Sequence, residues 1–160
     1  MEYKKFFMEE ALKQAKKAYN CKEVPVGAII VKDNKIIAKA FNKREKCQNA
    51  LYHAEILAIN KACKKLKSFR LDECEMYVTL EPCPMCAGAI INARLKKLYF
   101  GAPDFNYGCC GSKYNFLQDK AFEHLVEVEG NILSKECSDI IKQFFIEIRE
   151  EKKNAKKIFR

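Results

Sequence analysis

The sequence predicts an α/β fold, a three-layer α/β/α sandwich in which a five-stranded mixed sheet lies between two layers of helices. Short apolar runs of strand length alternate along the chain with amphipathic segments of helical length. Only a short polar turn separates the first two strands, which predicts a hairpin, whereas longer helical segments separate the later strands. With 160 residues, 49% of them hydrophobic, the chain has the length of one domain, residues 1–160.

The first half of the chain predicts a helix, a hairpin and a second helix. Residues 4–20 place apolar side chains at helical spacing, with lysines on the opposite face. Residues 28–31 and 36–41 are the two strands of the hairpin. Residues 42–52 are polar and basic, so we expect a loop there. Residues 54–66 return to helical spacing and predict the second helix.

The second half continues the alternation of strands and helices. We expect strands over residues 75–80 and 95–100, with a helix over residues 84–94 between them. Residues 102–115 are rich in Gly, Pro, Asn and Cys and predict an irregular loop. A brief fifth strand is expected over residues 126–128.

A last helix is predicted from about residue 134. Its apolar side chains form one stripe, and it ends in a basic tail over residues 150–157 that we expect to be solvated and partly frayed. The formal net charge of +9 favours a polyanionic partner such as nucleic acid. Two basic clusters predict a phosphate-binding rim, although they could serve only solubility: Lys39, Lys43, Arg44 and Lys46, and then Lys142, Arg149, Lys152, Lys153, Lys156 and Lys157.

Cysteine usage and hydropathy indicate the compartment. The nine cysteines are odd in number and accompany no secretion signal, so we expect reduced thiols. No apolar run has membrane-spanning length, and the N-terminal residues lead into a charged amphipathic pattern. These features predict a soluble, cytoplasmic protein without a membrane partner.

The residues that carry chemistry lie in two short motifs. In Pro82-Cys83-Pro84-Met85-Cys86 a strand ends and two thiols open a helix, where exposed N–H groups and the helix dipole favour thiolates. His53 lies just before the second helix. If both helices follow adjacent strands, their N-termini converge at one edge of the sheet. The gap from His53 to Cys83 is too long for a zinc finger, so a preformed fold must bring the ligands together.

Two thiolates and one histidine supply three ligands for a zinc ion, one per subunit. The fourth position is then open to water, whose pKa falls to about 7 when it is bound to zinc. Glu55 can take the proton of that water and pass it to a leaving group, which is the division of labour of hydrolytic deamination. The alternatives are a redox-active Cys-x-x-Cys, or a structural site completed by one of four cysteines: Cys63, Cys74, Cys109 or Cys110.

His53-Ala54-Glu55 with Pro82-Cys83-Pro84-Met85-Cys86 resembles the signature of the zinc-dependent nucleoside and nucleobase deaminases. The match is closest to the bacterial tRNA-specific adenosine deaminases and covers nearly the whole chain. The similar blocks are residues 23–31, 77–83, 85–90, 100–104, 111–112 and 144–145. The sequence departs from the family pattern at residues 49–52, where the family usually has Asp-Pro-(Thr or Ser).

The resemblance implies a cytidine deaminase-like fold and a cytoplasmic homodimer that converts the wobble adenosine of a tRNA anticodon to inosine. The implied partner is the anticodon stem-loop. It also implies roles for eight residues: His53, Cys83 and Cys86 bind zinc; Glu55 is the proton shuttle; Asn42 holds the nucleoside; the backbone of Ala54 contacts the base edge; Val26 lies beside the flipped adenine; and Asp104 contacts the anticodon loop. Two alternatives stay open, a deaminase of free guanine or cytosine bases or nucleosides and a non-catalytic, zinc-stabilised RNA-binding module.

Overall fold

The computed structural model describes residues 2–158, which form four α-helices and five strands. In chain order these are α1 (Glu2–Asn20), β1 (Gly27–Lys32), β2 (Lys35–Phe41), α2 (Ala54–Leu66), β3 (Cys74–Leu80), α3 (Pro84–Asn92), β4 (Lys97–Ala102), β5 (Glu127–Glu129) and α4 (Ser134–Ile158). Every element expected from the sequence is present, with ends displaced by at most two residues. Within residues 2–158, each helix is too short or too polar to cross a membrane.

The five strands form one mixed sheet in the order β2-β1-β3-β4-β5. β1 pairs antiparallel with both β2 and β3, whereas β3, β4 and β5 are parallel to one another. The hairpin turn places Asp33 and Asn34 at positive φ, 49° and 59°, the conformation of the tight turns that suit twisted strands. The mixed sheet and the hairpin are therefore confirmed.

The connection to β5 differs from the expectation that helices join all the later strands. Between β4 and β5 the chain forms a long loop whose regular structure is one 3₁₀ turn, Phe116–Gln118. The loop returns to the sheet through the N–H of Val126, which donates to the Leu117 carbonyl at 2.9 Å. β5 is a three-residue edge strand, so few ladder hydrogen bonds hold it and its position depends on this loop.

Helices cover both faces of the sheet. On one face, α2 and α3 pack against alternate strand residues such as Ile30, Met76 and Leu98. On the other face, α1 packs against the intervening residues, among them Tyr77 and Tyr99, and α4 contacts the same side. Because both faces are buried, the central strands read as continuous apolar runs. The three-layer sandwich is confirmed.

The C-terminal tail belongs to the last helix, which was predicted from about residue 134. α4 continues without interruption to Ile158. Glu, Lys and Ala make up most of this segment and are strong helix formers, which favours a helix even where no side chain is packed. Residues 151–158 are exposed, as expected.

Candidate active site

The two motifs meet at one edge of the sheet. His53 is the N-cap of α2 and Cys83 is the N-cap of α3. The condition that both helices follow adjacent strands does not hold, because α2 follows β2, α3 follows β3 and β1 lies between these two strands. Both strands run antiparallel to β1 and therefore parallel to each other, so their carboxyl ends lie at the same edge. The chain from β2 then crosses the end of β1 to reach His53.

The donor atoms of His53, Cys83 and Cys86 lie within 4.8 Å of one another. The Nδ1 atom of His53 is 3.6 Å from the Cys83 Sγ and 3.5 Å from the Cys86 Sγ. A zinc–sulfur bond of about 2.3 Å and a zinc–nitrogen bond of about 2.05 Å, meeting at a tetrahedral angle, separate such donors by about 3.6 Å. The spacing and the donor chemistry therefore fit zinc.

The protonation states of the two thiols favour metal binding. A hydrogen bond from the Cys86 thiol lowers the pKa of Cys83 to about 4, against the opposing effect of burial, and His53 acts in the same direction. The pKa of Cys86 is raised, first because its thiol donates to Cys83 and second because it is buried. The first thiolate of the pair is thus available at neutral pH, and a cation is needed to stabilise the second.

A fourth protein ligand is missing from this cluster within residues 2–158. None of the four candidates, Cys63, Cys74, Cys109 and Cys110, joins the group of donor atoms. All four are reduced in the structure, and burial raises the pKa of each thiol. The arrangement is that of an open metal site, which catalytic zinc centres have and structural ones do not.

Glu55 lies in the first turn of α2, two residues beyond His53, and only 4% of its surface is exposed. Burial is the largest cause that raises the pKa of Glu55, which reaches about 7. A carboxyl group with this pKa can both accept and donate a proton near neutral pH, which suits a general acid–base catalyst.

A cavity of about 430 Å³ opens directly over the metal-binding cluster. Seven of the eight residues named from the sequence line it: Val26, Asn42, His53, Ala54, Glu55, Cys83 and Asp104. Cys86 lies behind this wall and is fully buried. The cavity is also lined by residues that no motif of the sequence indicated: Val24, Arg44, Leu80, Glu81 and Tyr107. Leu80 and Glu81 could have been found from their position next to Cys83.

The backbone holds the side chain of Asn42 in place. Its Nδ2 donates to the Val24 carbonyl at 3.2 Å, and its Oδ1 accepts the N–H of Arg44 at 3.2 Å. One N–H of the amide and one lone pair of its oxygen remain for a ligand. Asn42 therefore presents a donor and an acceptor in a fixed orientation at the cavity wall.

The segment that departs from the family pattern forms a compact turn before His53. The Oδ1 of Asn49 accepts the N–H of Leu51 at 2.9 Å, the hydrogen bond of an Asx turn. The carbonyl of Tyr52 accepts the N–H of Lys43 at 3.1 Å, which ties the end of the loop to its start. His53 thus reaches its place by a different local sequence.

The buried carboxylate of Glu23 holds the same loop through hydrogen bonds. Glu23 is 1% exposed, and it accepts the N–H groups of Glu45 at 3.1 Å and Lys46 at 2.5 Å. These bonds fix the segment that carries Arg44. No motif in the sequence indicates this role of Glu23, because a carboxylate that binds distant amides has no local signature.

A second cavity, of about 520 Å³, adjoins the first. The two share Val24, Leu80, Asp104 and Tyr107, and the second is closed on its far side by Ile141, Lys142 and Phe145 of α4. The site is therefore a deep pocket that continues as a groove to α4. His124, the other histidine, takes no part in either cavity, and its Nε2 donates to the Leu95 carbonyl at 2.8 Å, a packing role.

Similar proteins share this architecture. The family model for MafB19-like deaminases matches residues 2–149. A tRNA-specific adenosine deaminase from Bacillus subtilis (strain 168) is 48% identical over 94% of each chain. A solved structure from a study of A-to-I editing by tRNA:A34 deaminases superposes with a TM-score of 0.82 and 39% identity, over 84% of this chain and 98% of that one.

A solved guanine deaminase, also from Bacillus subtilis, is 42% identical but superposes less well. Its TM-score is 0.59, over 61% of this chain and 63% of the other. The comparisons confirm both the cytidine deaminase-like fold and the resemblance that the two motifs indicated. The chain belongs to the family of tRNA-specific adenosine deaminases.

Proposed function

We propose that this protein hydrolyses the wobble adenosine of a tRNA anticodon to inosine. One observation carries the proposal: an open His-Cys-Cys cluster and the buried Glu55 face a cavity that continues as a groove to the basic helix α4. The cluster and Glu55 supply hydrolytic chemistry, and the groove supplies room for more than one nucleotide. The 48% identity to a tRNA-specific adenosine deaminase supports the same function.

His53, Cys83 and Cys86 are the residues that would hold zinc. When bound, zinc would supply a water acidic enough to lose a proton near neutral pH. Glu55 would take that proton, so that the water oxygen bonds to the ring carbon that carries the amino group, and would deliver it to the amino nitrogen, which leaves as ammonia when the carbon–nitrogen bond breaks. The pKa of about 7 lets Glu55 serve in both steps.

Four further residues would hold the flipped nucleoside. Val26 and Leu80 supply apolar walls for the base, and Asn42 supplies the fixed donor and acceptor described above. Ala54 is the first residue of α2, so its N–H has no partner within the helix and can contact the edge of the base. Asp104, where pocket and groove meet, would contact the anticodon loop.

The groove favours an RNA substrate over a free base. A free guanine or cytosine would occupy the pocket and leave the groove unused. From Lys142 at the groove outward, the exposed residues Lys142, Arg149, Lys153 and Lys156 recur at helical spacing on one face of α4. Such a row of cations suits the phosphates of an RNA backbone. The basic clusters are thus proposed as the rim that holds the anticodon stem-loop.

We also propose that the single deaminase domain works as a homodimer in the cytoplasm, as the family resemblance implies. Phe116 links Tyr114 and Phe122 in an aromatic row, with ring centroids 6.0 and 6.3 Å apart. Tyr114 and Phe122 are 57% and 42% exposed, which suits a surface that a second subunit covers. Light scattering on the purified protein tests the proposal, and a monomer at micromolar concentration would contradict it.

Ammonia release tests the function. We expect the zinc-loaded protein to deaminate an anticodon stem-loop with adenosine at the wobble position, and to leave free adenosine, cytidine and guanine almost unchanged. Glu55→Ala should lower kcat by about 100-fold or more because the proton shuttle is lost, while the zinc content stays the same. Activity on guanine without activity on the stem-loop would favour the free-base alternative. Bound zinc without any deamination would favour the RNA-binding module.

A further inference from the structure

Glu81 is a buried carboxylate that the proposed chemistry does not use. Only 2% of its surface is exposed. Its Oε2 accepts the backbone N–H of Asp104 at 2.9 Å, and its Oε1 accepts the N–H groups of Cys110 at 3.1 Å and Ser112 at 2.9 Å. A buried carboxylate is costly unless hydrogen bonds satisfy it, and here three amides from one loop do so.

The loop is built closely around this carboxylate. Gly108 packs against it so tightly that a Cβ atom at this position would overlap the Oε2 of Glu81 and the Asp104 carbonyl. The N–H of Gly108 donates to that carbonyl at 2.8 Å, and the N–H of Cys109 donates to the Pro82 carbonyl at 3.0 Å. The conformation of residues 104–112 is therefore set by the side chain of Glu81, which directly follows β3, and not by the loop sequence alone.

The same loop carries two residues of the substrate site. Asp104 and Tyr107 line both the pocket and the groove. The Oδ1 of Asp104 accepts the N–H groups of Asn106 at 3.0 Å and Tyr107 at 3.1 Å. A continuous chain of hydrogen bonds thus runs from Glu81 through Asp104 to Tyr107.

We propose that Glu81 is a positioning residue, which fixes Asp104 and Tyr107 at the junction of pocket and groove and so sets the affinity for RNA. The inference rests on the proposed function, because Asp104 and Tyr107 are taken to contact the anticodon loop. Glu81 itself moves no proton in this scheme. Its role is to hold the loop in the shape that binds substrate before the substrate arrives.

Glu81→Gln separates this role from general stability. Glutamine has one acceptor oxygen, and that oxygen satisfies most donors at the Oε1 position, facing Cys110 and Ser112. The amide nitrogen then faces the N–H of Asp104, donor against donor, so this tie is lost. The substitution keeps the size of the side chain and detaches the segment that carries Asp104.

Two measurements on the zinc-loaded variant test the inference. Hydrogen exchange at the Asp104 amide should accelerate about tenfold or more, while the amides of β1 and β3 keep their protection. The KM for the anticodon stem-loop should rise about tenfold, with kcat within about threefold of wild type. Unchanged exchange at Asp104 overturns the inference whether or not the wild-type protein deaminates RNA. A lower kcat at unchanged KM overturns it as well, since Glu81 would then act in the chemical step.

Asp104→Ala and a matched control complete the test. If Glu81 acts through Asp104, adding Glu81→Gln to Asp104→Ala should raise the KM by less than twofold, and multiplicative effects of full size would overturn the inference. Glu129→Gln is the control, because Glu129 is also held by hydrogen bonds, from Lys4, but lies on β5, away from the pocket. It should change neither the KM nor exchange at Asp104. Gly108→Ala, which crowds the carboxylate from the other side, should reproduce the effects of Glu81→Gln.

Discussion

At the scale of single residues, the site depends on how each buried carboxylate is satisfied. Glu23 and Glu81 accept backbone N–H groups and fix two loops that line the pocket. Glu10 pairs with two lysines, whereas no lysine or arginine within residues 2–158 forms a salt bridge with Glu55. Because burial favours the neutral carboxyl and cations favour the charged one, the pKa of Glu55 is raised and that of Glu10 is lowered. The groups bonded to a buried carboxylate, and not its burial alone, therefore decide whether it has a structural or a chemical role.

The first prediction concerns Glu10 and pH. Hydrogen bonds from Lys13 and then Lys39 lower the pKa of Glu10 below its usual 4.5, so its charged form stabilises the folded state. This stabilisation is present above pH 4.5 and is lost as the pH falls through the lowered pKa. We expect Glu10→Gln to reduce the free energy of unfolding by about 1 kcal/mol at pH 7, and the difference from wild type to shrink in acid. Urea unfolding over a pH series measures this, and a difference independent of pH would contradict it.

At the scale of elements, two glycines determine how closely the helices approach the sheet. A Cβ at Gly27 of β1 would overlap the Ala11 carbonyl of α1, and a Cβ at Gly101 of β4 would overlap the Cys137 thiol of α4. The backbone of each strand therefore contacts a helix directly. α1 and α4 lie on the same face, so these two contacts position one whole layer.

Gly27→Ala and Gly88→Ala should change the free energy of unfolding in opposite directions. The added methyl group at Gly27 pushes α1 away from β1, and we expect a loss of about 2–3 kcal/mol in the free energy of unfolding. Gly88 lies inside α3, and a Cβ there meets no atom within 4 Å. Gly88→Ala should increase the free energy of unfolding by about 0.5–1 kcal/mol, because alanine loses less entropy in a helix. Chemical denaturation of both variants checks the pair, and equal signs would refute the packing argument.

α4 is the element that extends beyond the core. Of its 25 residues, Cys137 and Phe144 are buried, and the basic face from Lys142 to Lys156 spans about 21 Å of helix. This length is enough for several phosphates of an RNA stem. The helix therefore acts as an arm that leads from the groove into solvent.

Charge removal on this arm should weaken RNA binding without affecting catalysis. For the triple variant Arg149→Gln, Lys153→Gln and Lys156→Gln, we expect the slope of log Kd against log salt concentration to fall by about 2–3, with kcat at saturating RNA unchanged. Lys64→Gln, Lys65→Gln and Lys67→Gln remove the same charge at the far end of α2 and should leave the slope unchanged. Fluorescence anisotropy over a salt series measures both slopes. Equal slopes for the two variants would contradict the proposal that the basic face of α4 binds RNA.

At the scale of the whole molecule, the hydrophobic core on both sides of the sheet supports the metal-binding cluster. Two hydrophobic clusters, one on each side of the sheet, hold the helices that carry His53 and Cys83. The donor atoms of His53, Cys83 and Cys86 lie at the spacing that zinc requires. This differs from a zinc finger, in which the metal organises the chain.

Removal of zinc should therefore abolish activity and leave the fold intact. We expect the chelated protein to keep its far-UV circular dichroism, with a Tm lowered only by the loss of ligand binding, and one zinc per chain to restore deamination. Cys83→Ser should bind zinc weakly and keep the same spectrum. Metal analysis with thermal unfolding tests this, and an unfolded apo-protein would show that the ion holds the fold.

The sequence by itself determined the elements and the chemistry, because both depend on neighbours in the chain. Periodicity placed nine helices and strands, and two short motifs at helix starts identified the donors and Glu55. Capping, helix dipoles and ligand spacing are local properties, so they can be inferred from the sequence without knowledge of the fold. The apolar stripe after residue 134 likewise predicted the last helix, which runs from Ser134 to Ile158.

The tertiary structure decided the order of the strands and the shape of the pocket. Contacts between distant segments place β1 between β2 and β3 and allow a connection to β5 without an α-helix. They also bring Arg44 and Tyr107 to the cavity. Glu81 shows why: its three hydrogen bonds reach amides 23, 29 and 31 residues away. No local pattern encodes such a bond, because the donors are backbone groups that every sequence carries and only the folded chain brings to the carboxylate.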